Sequence, residues 1–235
     1  MCNHLGAFLL FIFSVFYGGA NAATNQGVQK DLPKNERETI SSTVGQVGDQ
    51  VLTSREVVIS NVVDMALLVV GIKSQKISRT GWLLKENSEA FRQHLTQSML
   101  ELVVNLEAIN FSVAEISLDE IKTKTHQIND LLKDWSEWKS IEVTNVELEA
   151  IILRKLRAKS FLKFKMESSG VQIRDEEAKL YYDKNRVKFG NLQFDQFRSS
   201  IKEFLSKEQL EDKLKDWFEL LKRKYKVRYL GTFEN

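Results

Sequence analysis

Between Gly81 and Gly170 the chain runs without a glycine or a proline, and the one proline among its 235 residues is Pro33. Strands and tight hairpins need such residues, because a chain reversal demands a positive φ or a pre-set turn dihedral. A β-sandwich or barrel built from this stretch is thereby excluded, and long helices are what remains. Hydrophobic residues make up 43% and aromatics 10%, which suffices for a packed core and is too apolar for general disorder. With 34 basic and 32 acidic side chains the formal net charge is +2, which argues against a surface given over as a whole to nucleic acid or to acidic partners. The sequence predicts a mainly helical protein of one or two domains.

The N-terminus predicts an address. Ala7 to Tyr17 is an almost unbroken apolar run, followed by small residues and Ala20-Asn21-Ala22, the small-x-small form that precedes signal cleavage. The run is well short of the roughly 20 residues that cross a bilayer, so residues 1–22 are read as an export signal. Its first residues, Met1 to Gly6, carry no lysine or arginine, which is atypical. Cleavage after Ala22 removes the only cysteine, Cys2, and leaves no stable membrane span. A cysteine-free chain in an oxidising compartment must rely on its core instead of disulfides. Residues 23–41 are polar and unpatterned and read as a flexible lead-in.

The ordered part is expected to open at 42–52 with a strand, a tight turn at Gly48-Asp49 and a short return. Thr53-Ser54-Arg55-Glu56, Ser117-Leu118-Asp119-Glu120 and Thr144-Asn145-Val146-Glu147 are capping boxes, in which the hydroxyl accepts from the amide three residues on and the carboxylate reaches back. They predict helices from 53 to about Gly71, from Ser117 with Ile121, Ile128, Leu132 and Trp135 on one side, and from Thr144 to Ser168. Between the first two, Phe91, Leu95, Met99, Leu102, Leu106 and Ile109 form a stripe that Leu100, Val103 and Val104 widen; a helix this apolar must be buried. A short helix bearing Tyr181-Tyr182 then ends at Gly190. A long or once-broken helix spans Phe194 to Tyr225, and a terminal strand follows within 226–233. A lone strand is marginal in water, so it is expected to pair with the strands at 44–52.

The segments VGDQVLTSREV, FRQHLTQSMLELVVNLEAINFSVAEISLDEI, FKMESSGVQIRDEEAKLYYDKNRVKFG and LEDKLKDWFELLKRKYKVRYL resemble, in that order, parts of the SurA-like periplasmic chaperones. The likeness covers about 42–232 and rests on helical patterns, not on catalytic residues. It implies a helical chaperone domain at 42–170. Residues 171–235 then supply closing helices and a terminal strand that pack back on it, so that a small antiparallel β element joins the two chain ends. The sequence departs from that family twice. Gly190 leads within a few residues to Phe194, leaving no room for the parvulin-type prolyl isomerase domain that many members carry there. Arg174 stands where the family usually places a Ser or Thr cap, although Asp175, Glu176 and Glu177 still suit the helix dipole.

Candidate chemistry is sparse. Beyond the signal only His94 and His126 remain, with no second histidine or cysteine at ligand spacing, no Gly-x-Ser-x-Gly elbow and no glycine-rich phosphate loop. No catalytic, cofactor or metal residue is assigned, and the chain is not expected to be an enzyme. Residues 121–235 hold 25 basic and 19 acidic groups, net +6, against 9 and 13, net −4, for 1–120. The sharpest charge feature is Arg154, Lys155, Arg157, Lys159, Lys163 and Lys165. At about 100° per residue these cations spread around most of a helix, so solvated flanks are expected, not a nucleic-acid surface. Trp135 and Trp217, embedded in periodic stripes, are assigned to the core. Trp82, Trp138, Tyr181 and Tyr182 are the candidate client-binding rings. The resemblance implies an ATP-independent holdase for unfolded outer-membrane or other envelope polypeptides in the periplasm. Its rivals are an adaptor for one folded envelope partner and, less favoured, a prolyl isomerase.

Overall fold

The computed structural model describes residues 41–71 and 77–230. The expected signal, nearly all of the lead-in and the break expected at Gly231 lie outside the described residues. The first described elements are a hairpin: β1 (Thr43–Val47) and β2 (Gln50–Thr53) pair antiparallel about Gly48, whose φ of +57° suits a residue without a Cβ. The Thr53 hydroxyl accepts from the Glu56 amide and opens α1 (Ser54–Val69). Ser88 does the same for α2 (Glu89–Asn110) and Ser117 for α3 (Leu118–Leu132). After the single turn of α4 (Ser136–Lys139), Thr144 caps α5 (Asn145–Ser168). Each hydroxyl satisfies a donor that the helix itself leaves orphaned. The returning half of the expected boxes is diverted at two of these ends: the Glu56 carboxylate takes the Arg154 guanidinium, and Glu147 takes that of Arg55.

Beyond Gly170, α6 (Asp175–Lys184) starts at Arg174, whose side chain makes no cap and reaches Glu177 instead. α7 (Arg186–Phe189) follows. Then α8 (Phe194–Lys224) runs unbroken for 31 residues, about 46 Å at 1.5 Å per residue. β3 (Arg228–Tyr229) adds to the free side of β1, giving an antiparallel sheet of order β2-β1-β3. The fold is thus mainly helical with a small sheet that joins the two ends of the described chain. Further bonds close that joint. The Gly48 amide donates to the Tyr225 carbonyl at 2.6 Å, and the Leu230 amide to that of Val44 at 2.9 Å. The buried Glu107 of α2 accepts from Lys224 Nζ at 2.5 Å and from the Tyr225 hydroxyl at 2.6 Å.

α2 sits at the centre, as its apolar circumference requires. Its Phe91, Leu95, Met99, Leu102 and Val103 pack on the sheet residues Val44, Val47 and Leu52 and on Leu221 of α8. Its Leu100, Val104 and Ala108 meet Phe161 and Leu162 of α5 and Leu214 and Phe218 of α8. A separate core joins Ile59, Val62 and Val63 of α1 to Ile121, Ile128 and Leu132 of α3, Trp135 and Trp138, and Ile151 and Ile152 of α5. α3 stops at Leu132, so Trp135 leaves the expected stripe, yet it stays in that core. The closing segment divides: Ile173, Ala178, Tyr182 and Ile201 make a small core of their own, and the second half of α8 packs back on α2 and α5.

Gly45, opposite Tyr229 in the sheet, has a packing reason to be glycine: a Cβ there overlaps the sulfur of the fully buried Met99. Gly45→Ala should therefore destabilise by about 1–3 kcal/mol. In chemical denaturation, Gly45→Ala combined with Met99→Ala should lose clearly less than the two single losses added together. Strict additivity would show that the two sites do not touch.

Candidate functional site

The rings expected to meet clients are mostly core. Trp82 and Trp138 are 6% and 7% exposed, and Trp82 stands edge-on to Trp135 with centroids 5.9 Å apart. The connector bearing Trp82 is tied to α1 by Asn61, whose amide donates to the Trp82 carbonyl at 2.8 Å. Tyr182 is 3% exposed and donates its hydroxyl to the Leu192 carbonyl at 2.5 Å. Tyr181 is half-buried beside Phe204, centroids 5.4 Å apart. The structure brings the two tyrosines together and keeps them in a different core from the two tryptophans. Of the four, only Tyr181 is not buried.

The basic run departs from expectation at its start. Arg154 and Lys155 are buried, not solvated, and form a charged joint between α1, α2 and α5. Lys155 Nζ lies 2.9 Å from Asp64 Oδ1 and 2.9 Å from Glu101 Oε2. Arg154 donates through Nε to Glu101 Oε1 at 2.8 Å and through Nη1 to Glu56, while its Nη2 is buried without a partner. Arg157 is half-buried and donates to Asn105; Lys159 and Lys163 are exposed, as expected of a solvated flank. Burial works against the charge on Lys155, but Asp64 and Glu101 outweigh it and hold the ammonium above its usual range. A lysine held protonated has no free amine for nucleophilic chemistry. Burial likewise opposes ionisation of Glu101, yet Lys155 and Arg154 keep its carboxyl below the ordinary range. At Asp64 burial wins and raises the carboxyl. His94, whose Nε2 is 3.9 Å from Asp64 Oδ2, is held neutral by burial and then by Lys155, down to about 3. This joint ties three helices together; among the described residues no group of three or more His, Cys, Asp or Glu is placed to hold a metal.

Exposed aromatic side chains lie elsewhere, among them Phe111 at the end of α2 and Phe164 on α5. The chain leaves α2 through two left-handed residues, Ser112 at φ +51° and Ala114 at φ +63°, a conformation uncommon for residues with a side chain. Beside this turn stands Phe111, 58% exposed. Its ring centroid is 5.9 Å from that of Phe161, which in turn lies 6.1 Å from Phe164 and 6.0 Å from Trp217. Phe164 is 46% exposed, Trp217 half-buried and Phe161 between them fully buried. The four rings thus form an aromatic strip from the end of α2 across α5 to α8 that is joined beneath the surface at Phe161 and open at Phe111, Phe164 and part of Trp217. The strip ends at a cleft of about 200 Å³ lined by Lys165, Ser168, Ser169, Leu210, Lys213, Leu214 and Trp217. Lys165 Nζ lies over the Trp217 ring at 5.3 Å. A strip of this kind can take up large apolar side chains from an unfolded chain and release them again.

No family model, curated protein or solved structure matches this chain. The sequence carries one signal for the strip: Phe164 falls outside the α5 stripe of Leu148, Ile151, Ile152, Ala158, Phe161 and Leu162, and an aromatic out of phase with its own core is the residue to suspect of an external role. Phe111 gives no such signal, because only the turn after α2 determines which way it points. Among the described residues no helix is long and apolar enough to cross a membrane.

Proposed function

We infer that the protein is an ATP-independent holdase that binds unfolded envelope polypeptides, working in the periplasm after export. The observation that carries this reading is the aromatic strip of Phe111, Phe161, Phe164 and Trp217 with its adjoining cleft. Exposed aromatic side chains anchored on a packed core, with cations beside them, are one way a protein engages apolar partners. A client gains apolar contacts with the strip while unfolded and loses them when its own core forms, so release needs no nucleotide. The export signal read at 1–22, the missing phosphate loop and the resemblance of 42–232 to SurA-like chaperones support the same reading.

Light scattering of an unfolded outer-membrane barrel protein, diluted from denaturant with increasing amounts of the purified chain, tests it. Aggregation should be suppressed near stoichiometric ratios, and folded barrel should not compete. Phe111→Ser combined with Phe164→Ser should raise the amount needed for half-suppression by about fivefold or more, as expected from removing two half-exposed aromatic contacts. Absence of suppression by the parent chain, together with recovery of one stoichiometric folded partner from an envelope extract, would replace the holdase with an adaptor.

A further inference from the structure

We propose that the cleft between α5 and α8 selects segments in which one large apolar side chain is flanked by an aspartate or glutamate. The inference rests on the holdase reading and adds to it the kind of segment that is gripped. At about 200 Å³, against roughly 30 Å³ for each liquid water, the cleft has room for about six waters or for one large side chain. Its apolar walls are Leu210, Leu214 and Trp217, which is itself braced by Phe161 at 6.0 Å and Phe218 at 5.2 Å. These are the partners an aromatic or branched aliphatic side chain seeks.

The mouth supplies the second half of the selection. Ser168 and Ser169 commit their hydroxyl protons to carbonyls of their own helix, those of Lys165 at 3.1 Å and Met166 at 2.7 Å. Besides the Trp217 indole N–H, the side-chain donors that line the cleft are the ammonium groups of Lys165 and Lys213, one from each wall. No carboxylate lines the cleft, so an incoming acid meets two cations, and a basic neighbour meets like charge. Lys213 is exposed and Lys165 half-buried, so these interactions are screened by salt and modest in size. They bias the choice of segment while the apolar side chain provides the grip.

Fluorescence anisotropy with the full chain and labelled nine-residue peptides tests the assignment. The peptides share a central phenylalanine and differ only in having aspartate, asparagine or lysine on both sides of it. The aspartate peptide should bind about tenfold more tightly than the lysine peptide at low salt, with the asparagine peptide between them. That spread should shrink at 0.5 M salt, where the screening length is only a few ångströms. Lys213→Glu should narrow or invert the order with the helical circular dichroism unchanged, and Lys213→Gln should leave an intermediate spread. Equal binding of all three peptides, with aggregation of unfolded barrel still suppressed, would overturn the acidic preference and leave the holdase standing. Failure of every peptide to bind, together with no suppression, would sink both. An unaltered order in Lys213→Glu would show that charge is read somewhere other than this cleft.

Discussion

Replacing Lys155 with methionine will cost the fold about 3–5 kcal/mol, the largest loss expected from any single substitution outside the apolar core. The side chain is buried, and its ammonium lies 2.9 Å from both Asp64 and Glu101. Methionine keeps most of the volume, so the loss does not come from a cavity. It comes from leaving Glu101, itself buried, with Arg154 as its one remaining cation and Asp64 with none at contact distance. Urea denaturation measures the effect directly. The double replacement Lys155→Met with Glu101→Gln should lose less than the two single losses added, by at least about 1 kcal/mol, because each group is costly chiefly when the other is missing. A Lys155→Met protein within 1 kcal/mol of the parent would mean that water reaches Asp64 and Glu101 freely, and the joint would then be an ordinary surface pair.

Acid will destabilise the protein through His94. Burial, and then the charge of Lys155, hold the imidazole neutral down to about 3, from an ordinary value of 6.5. The unfolded chain takes up that proton below pH 6.5 and the folded chain does not. The stability associated with a neutral His94 is therefore complete above pH 6.5 and is lost progressively as the pH falls toward 3. At the bottom of that window the loss reaches about 5 kcal/mol. Its neighbours act in both directions. Asp64 of α1 is raised by burial, so the fold accepts its proton early and recovers some stability as the pH falls. Glu101 of α2 is lowered, with Lys155 and Arg154 of α5 outweighing burial, and its stabilisation is lost only at more acidic pH. Substituting His94 with leucine removes one titration and leaves the others. Plotted against pH, the stability difference between parent and variant should change by several kcal/mol between pH 6.5 and 3. Parallel profiles would show that the imidazole gains its proton in the fold as easily as outside it.

Most of the local architecture was legible before any coordinates. Thr53, Ser88, Ser117 and Thr144 each sit where a helix begins, and three of the four stand in capping boxes read directly from the sequence. The hairpin turn at Gly48, the end of α5 before Gly170 and the pairing of the terminal strand with β1 followed the same way. The buried centre could be named from the apolar circumference of α2 alone. These features depend on residues within a turn or two of one another, or on a periodicity carried by a single helix, and such interactions are written consecutively in the chain.

What the tertiary structure decided is where charges and rings end up once the helices cross. Arg154 and Lys155 sit in a basic run that reads as solvated, yet their carboxylate partners Glu56, Asp64 and Glu101 come from two other helices at distant points in the sequence. A cation is stable in a core only if such partners arrive, and helical spacing on α5 holds no information about the facing helix. Trp82 lies in a connector and Trp138 in the single turn of α4, where the local pattern leaves burial open; packing between α1, α3 and α5 drew them inside. Phe111 and Phe164 stay exposed, while Leu214 and Phe218 of α8 pack on Phe161 and Leu162. The sequence by itself determined the helices, their caps and the closure of the sheet, since those are local or periodic properties; only the crossing of α1, α2 and α5 determined the charged joint, and that of α2, α5 and α8 the aromatic strip, since burial is a property of the partner surface.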